Sequence, residues 1–412
     1  MKNLIISKKI ILILIPILSL CFGFLINEDL STGGAKWDFY TTLPAITDFS
    51  NLIFDNFHIY TRHFPLHYLL LSVPYSIFGD VYALRAIYLL FSLTLPVFVY
   101  LSICKIYKVA TINSLIISSS LLFLPFFRSS AIWPNVHLTA LIFLVIANYF
   151  YIRSLESNKF IYKFINIFFL SLSTYCIQSY VIFFLFYLFN YYKNITMKNF
   201  YYILIICFLF SLPGFLFIFN SSREGMAGLR FTNNLSYTLI TNLSIVFFFI
   251  VFFLINKSNF LVIKKYFLNL NFYEIFILFL FFFLLVFDYK EINVPAGGGF
   301  FYKISLFLFQ NKLIFFISGF LGLVTFYLFF KNEKQIFYTL VLINLTSIAI
   351  YTSQKYFEPL LIVLFFTFHQ NFLSKNIIND FRSALTFYTL IFTYYVVAST
   401  NVIYDLSRLN FW

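Results

Sequence analysis

The sequence contains very few charged residues. They make up 10% of its 412 residues, against about 25% in a typical soluble domain. Hydrophobic residues make up 61%, and the mean hydropathy is +0.89. A soluble fold has too little interior to hide this much apolar surface, which excludes a cytosolic enzyme, a nucleic-acid-binding domain and a disordered scaffold. The composition therefore predicts an all-α polytopic integral membrane protein.

Cysteine and acidic residues are scarce as well. The four cysteines are scattered through apolar runs without the spacing of a metal site, so packing roles are predicted, and neither a metal nor a cofactor is indicated. Lys and Arg number 28 against 15 Asp and Glu, which gives a formal net charge of +13. In a membrane protein such an excess marks cytoplasmic loops, so it does not predict a nucleic-acid partner.

Long apolar runs recur along the whole chain without an internal repeat. They lie near residues 8–26, 84–104, 110–126, 136–152, 163–177, 180–192, 199–219, 237–256, 266–287, 313–330, 335–352, 359–373 and 383–400. Several are shorter than the roughly 20 residues of a full span. We therefore predict about 11–13 transmembrane helices in one integral membrane domain, residues 1–412, with no separate soluble domain.

The stretch His67–Phe78 is apolar but too short to cross a membrane easily, and Pro74 interrupts it. If this stretch stays on one side, the Lys and Arg clusters between later helices fall in the cytoplasm, as the positive-inside rule favours. We therefore predict a re-entrant or surface-lying helix, a cytoplasmic N-terminus, and an outer catalytic loop over residues 27–83. Most acidic residues then lie on the outer face, where carboxylate chemistry is expected.

The first outer loop holds the best candidates for this chemistry. Asp29 and Lys36 flank Gly33-Gly34, which allows a tight turn close to a ligand. Asp38 then begins an amphipathic segment, residues 38–54, that would lie on the membrane surface. The alternative interpretation is an ordinary solvated loop whose acids and bases are placed by chance.

Cations collect on the predicted outer face against the topology bias, and this predicts an anionic ligand such as a lipid phosphate. The outer cations are Arg62, His63, Arg128, Arg223, Arg230, Lys303 and Lys355. His67, His137 and Glu358 lie in the same outer segments and are further candidates for substrate binding. Two ordinary explanations stay open: Arg128 reaches lipid headgroups beside an interfacial Trp133, and Lys355 pairs with Glu358.

The first outer loop resembles the glycosyltransferase C superfamily, most closely polyprenyl- or dolichyl-phosphate-sugar transferases of the protein-mannosyltransferase and aminoarabinose-transferase type. Those enzymes place a catalytic acid before a surface helix. Further along they carry a Lys/His-Pro-Pro-Leu-Tyr-Tyr-like motif and a short apolar helix ending in Phe-Gly-Asp. Here Asp38 takes the acid's place, His63–Tyr68 takes the second motif, and Phe78-Gly79-Asp80 with Arg85 follows.

Three positions depart from the family pattern. Phe39 stands where the family usually has a second acid, and Phe64 replaces the first proline of the motif. In the second outer loop Asn135 stands where many relatives have an acid, which weighs against a metal there. The detailed resemblance covers residues 1–155, and beyond them it is one of general architecture.

The resemblance implies an inverting glycosyltransferase that moves a sugar from a polyprenyl-phosphate carrier to a glycan or lipid acceptor, in cell-envelope glycan or glycolipid synthesis. It implies Asp38 as the base that takes the acceptor's proton. Arg62, His63 and Lys355 would hold the leaving phosphate. It also implies the inner membrane of a bacterium, with the active face periplasmic or extracellular.

Two other functions stay open. O-antigen or polysaccharide polymerases and ligases are also hydrophobic and use outer-face cations, but their large outer loop typically lies in the second half of the chain. A lipid-linked sugar transporter or flippase is expected to carry ionisable residues at mid-membrane and an internal repeat. Glu274 is the main candidate for such a residue, and it lies near the cytoplasmic end of its apolar run.

Overall fold

The fold is helical throughout the part of the chain that is described. The computed structural model describes residues 2–31, 34–53, 60–61, 63–109, 111–157, 159–220, 235–290, 299–347 and 354–403. Every regular element within these ranges is a helix, which confirms the all-α polytopic membrane fold. The chain forms two compact units, Met1–Gly228 and Leu229–Trp412, here called the first and second units.

The first unit begins with a long apolar helix and continues through short helices into a set of longer ones. Its helices are Lys2–Leu25, Gly34–Thr42, Pro44–Thr47, Phe49–Leu52, Leu66–Phe78, Val81–Ser92, Thr94–Tyr107, Ile112–Ser120, Pro125–Ile132, Val136–Ser157, Phe160–Thr174, Ile182–Asn194 and Met197–Asn220. Two short 3₁₀ turns, Leu121–Phe123 and Gln178–Val181, complete it.

The second unit is built in the same way. Its helices are Leu235–Leu254, Lys257–Leu268, Phe272–Phe287, Gly299–Phe309, Leu313–Asn332, Lys334–Thr346, Glu358–Thr367, Phe372–Asn379 and Phe381–Ile403, with a 3₁₀ turn at Gln354–Tyr356. Every apolar run predicted from the sequence in either unit therefore contains a helix.

Five helical segments among the described residues are long and apolar enough to cross a membrane. They are Val81–Tyr107, Val136–Ser157, Met197–Ile218, Leu235–Leu254 and Leu313–Asn332. Two bent pairs raise the number to 7 if each counts as one span. These pairs are Ile112–Phe123 with Pro125–Ile132, bent by 67°, and Lys257–Leu268 with Phe272–Phe287, bent by 97°. Other predicted runs do not meet this criterion within the described residues, because they form helices of under 18 residues or are broken by a bend.

Helix Val136–Ser157 lies at the centre of the first unit. It is buried along most of its length and packs against Phe160–Thr174 and Thr94–Tyr107. Its one fully buried amide side chain is satisfied, because the Tyr187 hydroxyl donates to Asn148 Oδ1 at 3.0 Å. A helix that is apolar on all sides needs such a central position.

Helix Leu235–Leu254 is the corresponding element of the second unit, and it packs along Leu313–Asn332. A Cβ atom at Gly322 would lie 2.3 Å from the carbonyl oxygen of Leu243, so only glycine permits this approach. Ser244 and Ser318 face each other across the same contact, with their hydroxyl oxygens 2.7 Å apart. Small residues commonly mediate helix packing in membranes in this way.

The predicted surface segment of the first outer loop forms three short helices instead of one. Helix Gly34–Thr42 ends before Pro44, which has no amide hydrogen to continue the helical pattern. Two single-turn helices follow, Pro44–Thr47 and Phe49–Leu52, and residues 54–59 lie outside the described part.

The segment Phe78-Gly79-Asp80 is a tight turn between two helices. Helix Leu66–Phe78 has 13 residues, a length of about 20 Å against a hydrocarbon core of about 30 Å. Gly79 ends it with a φ of +64°, and the Asp80 carboxylate caps the next helix by accepting from the Ala83 amide at 2.9 Å. The Phe-Gly-Asp motif of this chain therefore forms the turn between the two helices.

Cysteine accessibility tests the prediction that Leu66–Phe78 stays on one side. In a chain whose native cysteines are replaced by alanine, a cysteine at Lys105 or Lys193 should react with a membrane-impermeant maleimide only after permeabilisation. The reason is that both positions then lie in the cytoplasm with the other basic clusters. A cysteine at the exposed Asp48 in the first outer loop should react in intact cells. Labelling of position 105 or 193 in intact cells would show that the short helix crosses.

Candidate active site

A buried ion pair fixes the start of the first outer loop. The Arg128 guanidinium donates to both oxygens of the Glu28 carboxylate, with Nε–Oε1 at 2.6 Å and Nη2–Oε2 at 2.9 Å. Nη2 also donates to the Ser19 carbonyl at 2.9 Å, and the Arg128 side chain is fully buried. Bidentate pairs of this kind are strong and directional. The pair therefore holds the C-terminal end of the first helix against Pro125–Ile132.

Trp133 and Ser129 extend this anchor. The indole Nε1 of Trp133 donates to the Glu28 carbonyl at 3.0 Å, and the Leu30 amide donates to Ser129 Oγ at 2.9 Å. Trp133 is 2% exposed. Arg128 and Trp133 thus lie inside the protein, because Glu28 binds both, and not at lipid headgroups as the ordinary explanation had it.

Asp29 organises the turn that leads into helix Gly34–Thr42. Its carboxylate accepts from the amides of Ser31 at 2.9 Å and Lys36 at 2.8 Å. Carboxylates favour the amide-rich start of a helix. This geometry gives Asp29 a structural role as the cap of the turn, which is the alternative to a role in catalysis or substrate binding.

Asp38 lies half-buried on helix Gly34–Thr42. The helix is seated by Phe39, which is buried with its ring centroid 6.1 Å from that of Trp133. Burial raises the pKa of the Tyr68 hydroxyl, and the negative charge of Asp38 raises it further. Asp38 is thus within electrostatic range of Tyr68, in the first turn of helix Leu66–Phe78.

Three of the chain's five histidines gather beside this turn. The rings of His63 and His137 meet edge to face with centroids 5.4 Å apart. His67 Nδ1 lies 2.8 Å from Thr139 Oγ1, which also lies 2.9 Å from the Tyr88 hydroxyl. The sequence named the three histidines separately, and the structure brings them together.

The electrostatics of His67 decide what it contributes. Burial, with a smaller contribution from the neighbouring His63, lowers its pKa to about 3. His67 is therefore a neutral ring at physiological pH, because its pKa lies far below 7. It can exchange hydrogen bonds with a ligand or with Thr139, but it cannot contribute the positive charge expected of a phosphate-binding group.

An apolar cavity of about 490 Å³ opens next to the histidines. It is lined by Phe49, Ile53, Phe64, Pro65, Leu66, Leu69, Tyr175, Pro213, Leu216 and Phe217. The Phe64 ring links its two walls, with centroids 5.9 Å from Tyr175 and 5.8 Å from Phe217. The segment 63–67 therefore has polar side chains in the histidine cluster and apolar ones in the cavity wall.

Tyr175 shapes one wall of the cavity through helix Met197–Asn220. Its hydroxyl donates to the Phe210 carbonyl at 2.5 Å and accepts from the Gly214 amide at 2.9 Å. These two groups are partners of one hydrogen bond in a regular α-helix. A side chain inserted at this place, next to Pro213, is a recognised cause of helix bending.

The remaining predicted residues divide into two groups. Arg62, Arg223 and Arg230 lie outside the described residues. Lys303, Lys355 and Glu358 belong to the second unit. Glu358 is buried and accepts from the Tyr394 hydroxyl at 2.7 Å, and burial lowers the pKa of Lys303 to about 8. The Lys355 ammonium lies 5.5 Å from the ring centroid of Tyr356.

The structure also weakens one argument for transport. Glu274 belongs to a capping box with Asn271 and forms an ion pair with Lys331 at 2.7 Å. Its carboxylate thus has a structural role at the start of helix Phe272–Phe287. Among the described residues, no three or more His, Cys, Asp and Glu side chains form a group that could hold a metal ion.

Arg85 is the residue that sequence reasoning passed over. It appeared only as the end of a motif, yet the residue is buried, with 4% of its surface exposed. Its Nε donates to the Ile132 carbonyl at 3.0 Å, and Nη1 donates to Asn27 Oδ1 at 2.8 Å. A charged residue within an otherwise apolar helix is the sequence feature that could have indicated its importance.

Comparisons with known proteins leave the site to be interpreted from its geometry. The chain matches no protein-family model, no curated protein and no solved structure. The resemblance to the glycosyltransferase C superfamily therefore stays a hypothesis that rests on the motifs of the first outer loop.

The Glu28–Arg128 pair predicts a stability effect. Glu28→Gln leaves a buried guanidinium without its carboxylate, and such a change costs about 3–5 kcal/mol. Thermal unfolding in detergent should show a large decrease in Tm. The matched control is Glu156→Gln, which removes an exposed pair with Lys105 and should cost about 0–1 kcal/mol. Equal melting shifts in the two variants would contradict the anchoring role.

Proposed function

We propose that the protein is a membrane glycosyltransferase that moves a sugar from a polyprenyl-phosphate carrier to a glycan or lipid acceptor. The transfer takes place on the outer face of a bacterial inner membrane, in cell-envelope glycan or glycolipid synthesis. The observation that carries the proposal is the amphiphilic character of the site. Segment 63–67 contributes to a histidine cluster on one side and to an apolar cavity of about 490 Å³ on the other.

A lipid with a polar head fits such a site better than a soluble substrate does. The cavity offers apolar contact to a hydrocarbon chain, and its wall residue Pro65 is only two positions from His63 and His67. The polar head would then lie at the histidine end of this segment, where the proposal also puts Asp38. A carrier whose chain enters the cavity would present its reacting carbon to this carboxylate.

The chemistry is a single displacement. The acceptor hydroxyl oxygen attacks the anomeric carbon, the bond from that carbon to the phosphate oxygen breaks, and the proton of the hydroxyl passes to Asp38. The configuration at the anomeric carbon is inverted, and the transition state has oxocarbenium character, as in glycoside hydrolysis. The phosphate leaves with a growing negative charge, which cationic and hydrogen-bonding groups must stabilise. His63 and, from the sequence alone, Arg62 are the groups proposed for this role.

The role of Asp38 is tested by Asp38→Asn, which keeps the size of the side chain and removes the proton acceptor. Loss of a general base costs about 10²–10⁴-fold in rate, so transfer from a polyprenyl-phosphate sugar in vitro should nearly vanish at equal expression. The matched control is Asp48→Asn, an exposed acid of the same loop, which should retain activity.

Asp29→Asn separates the two acids of this loop. We expect a lower Tm, because the Asp29 carboxylate accepts two amide hydrogen bonds before helix Gly34–Thr42, with milder loss of transfer. An active Asp38→Asn beside an inactive, folded Asp29→Asn would transfer the base assignment to Asp29. Full activity in both would move the catalytic centre out of this loop and favour the polymerase interpretation.

The cavity makes a separate prediction about the length of the carrier. Leu66→Trp adds bulk inside the cavity, whereas Leu70→Trp places the same bulk on an exposed position that does not line it. Since each buried methylene contributes about 0.8 kcal/mol, excluding two of them should raise KM for a long-chain donor roughly tenfold. A short-chain donor should be used equally well by both variants. An unchanged KM for the long-chain donor in Leu66→Trp would place the chain elsewhere.

A further inference from the structure

The two buried arginines near the first outer loop differ in how their charge is balanced. Arg128 has the carboxylate of Glu28. Arg85 forms no ion pair with any described residue, and its two hydrogen-bond acceptors, the Ile132 carbonyl and Asn27 Oδ1, are both neutral. A buried cation without a counter-charge is costly, and in a membrane protein it usually indicates a functional site.

The third nitrogen of Arg85 sharpens this contrast. Nη2 is buried, and among the described residues no acceptor lies within hydrogen-bond distance of it. A guanidinium donor left in this state costs free energy that a bound acceptor would recover. The donor is therefore placed to receive a ligand oxygen.

Aromatic rings surround the guanidinium and keep it out of bulk water. Its central carbon lies 3.6 Å from the ring centroid of Trp133 and 5.3 Å from that of Phe24. Tyr82 packs on Phe24 with centroids 5.0 Å apart, and Tyr40 packs on Trp133 at 5.9 Å. Both tyrosines are about half exposed, so they separate Arg85 from the surroundings without being fixed inside the core.

Lys36 adds a second positive charge beside the same indole ring. Its ammonium lies 5.5 Å from the ring centroid of Trp133, and the side chain is exposed. Two cations held against one indole ring raise the local positive potential, which attracts a compact anion and speeds its arrival. Planar, forked donors such as Arg85 are particularly suited to phosphate oxygens.

We propose that Arg85, with Lys36 beside the same indole ring, forms a binding site for a phosphate monoester next to Trp133. The anion would accept from Nη2 of Arg85 after Tyr40 and Tyr82 move aside. The anion site is inferred from Arg85 and Lys36 alone. Only the idea that the phosphate belongs to a lipid rests on the proposed glycosyl transfer.

Trp133 can serve as the fluorescent probe of binding, because the chain has only two other tryptophans and both can be replaced. In a Trp37→Phe/Trp412→Phe background, the full-length protein in phosphatidylcholine nanodiscs is titrated with decyl phosphate, inorganic phosphate or decanol while Trp133 fluorescence is recorded. Decyl phosphate should give a saturable change that weakens with salt, and decanol should give none. Tighter binding of decyl phosphate indicates a lipid headgroup as the source, whereas equal binding of the two phosphates indicates a free phosphate.

Variants then assign the site. Arg85→Gln should weaken binding about tenfold or more, and Lys36→Gln should weaken it less while lowering its salt dependence. Arg153→Gln is the matched control, because Arg153 also lies over a ring, 5.1 Å from the centroid of Tyr162, and should bind as the parent does. Asp38→Asn should bind the phosphate as the parent does. Phosphate binding can therefore be confirmed even if the proposed role of Asp38 in sugar transfer is wrong.

Three results would overturn the proposal. The first is a parent protein whose Trp133 fluorescence shows no saturable response to either phosphate. The second is a folded Arg85→Gln with the affinity of the parent. Where Arg85→Gln fails to fold, as judged by gel filtration and thermal melting, Lys36→Gln decides, and unchanged affinity and salt dependence in that variant would be the third.

Discussion

The ion pair between Glu28 and Arg128 is the interaction on which the loop after the first helix depends. It connects the residue where the first helix gives way to the loop with a helix that lies about a hundred residues further along the chain. Trp133 binds the carbonyl of the same Glu28, and Phe39 packs on Trp133. The position of helix Gly34–Thr42, and with it that of Asp38, thus follows from a charge pair that takes no part in the proposed reaction.

Such an arrangement suits a site at a membrane surface. Short helices have little stability of their own, since helices of this length are marginal in water. The described part of the loop after the first helix has three of them, and they pack on one another and on helices Leu66–Phe78 and Pro125–Ile132. A rigid frame with a small loop on it places catalytic side chains more accurately than a long free loop would.

The helical fold could be predicted because apolar runs are strong signals. Composition and hydropathy were enough for the fold class, and each run contains a helix. The number of full spans could not be predicted, because a bend such as the 97° angle between Lys257–Leu268 and Phe272–Phe287 leaves no mark in composition. The division into two units likewise depends on contacts between distant helices.

The residues of the candidate site could be predicted from the sequence, but their partners could not. The sequence pointed to Asp38 and to the histidines, because acids and cations in an outer loop are conspicuous. It could not show that Arg128 has a buried carboxylate partner whereas Arg85 has neutral ones, because the partners lie 100 and 58 positions away. Pairing of charges across such separations is a property of the folded chain.

The Tyr175 hydroxyl has a mechanical consequence for the apolar cavity. In helix Met197–Asn220 the Tyr175 hydroxyl binds both the Phe210 carbonyl and the Gly214 amide. Tyr175 directly follows helix Phe160–Thr174. Pro213, Leu216 and Phe217, which form that wall, are thus coupled to a neighbouring helix rather than to their own ladder alone. The width of the cavity is therefore set by the distance between two helices, and a sliding of either one changes the space offered to a ligand.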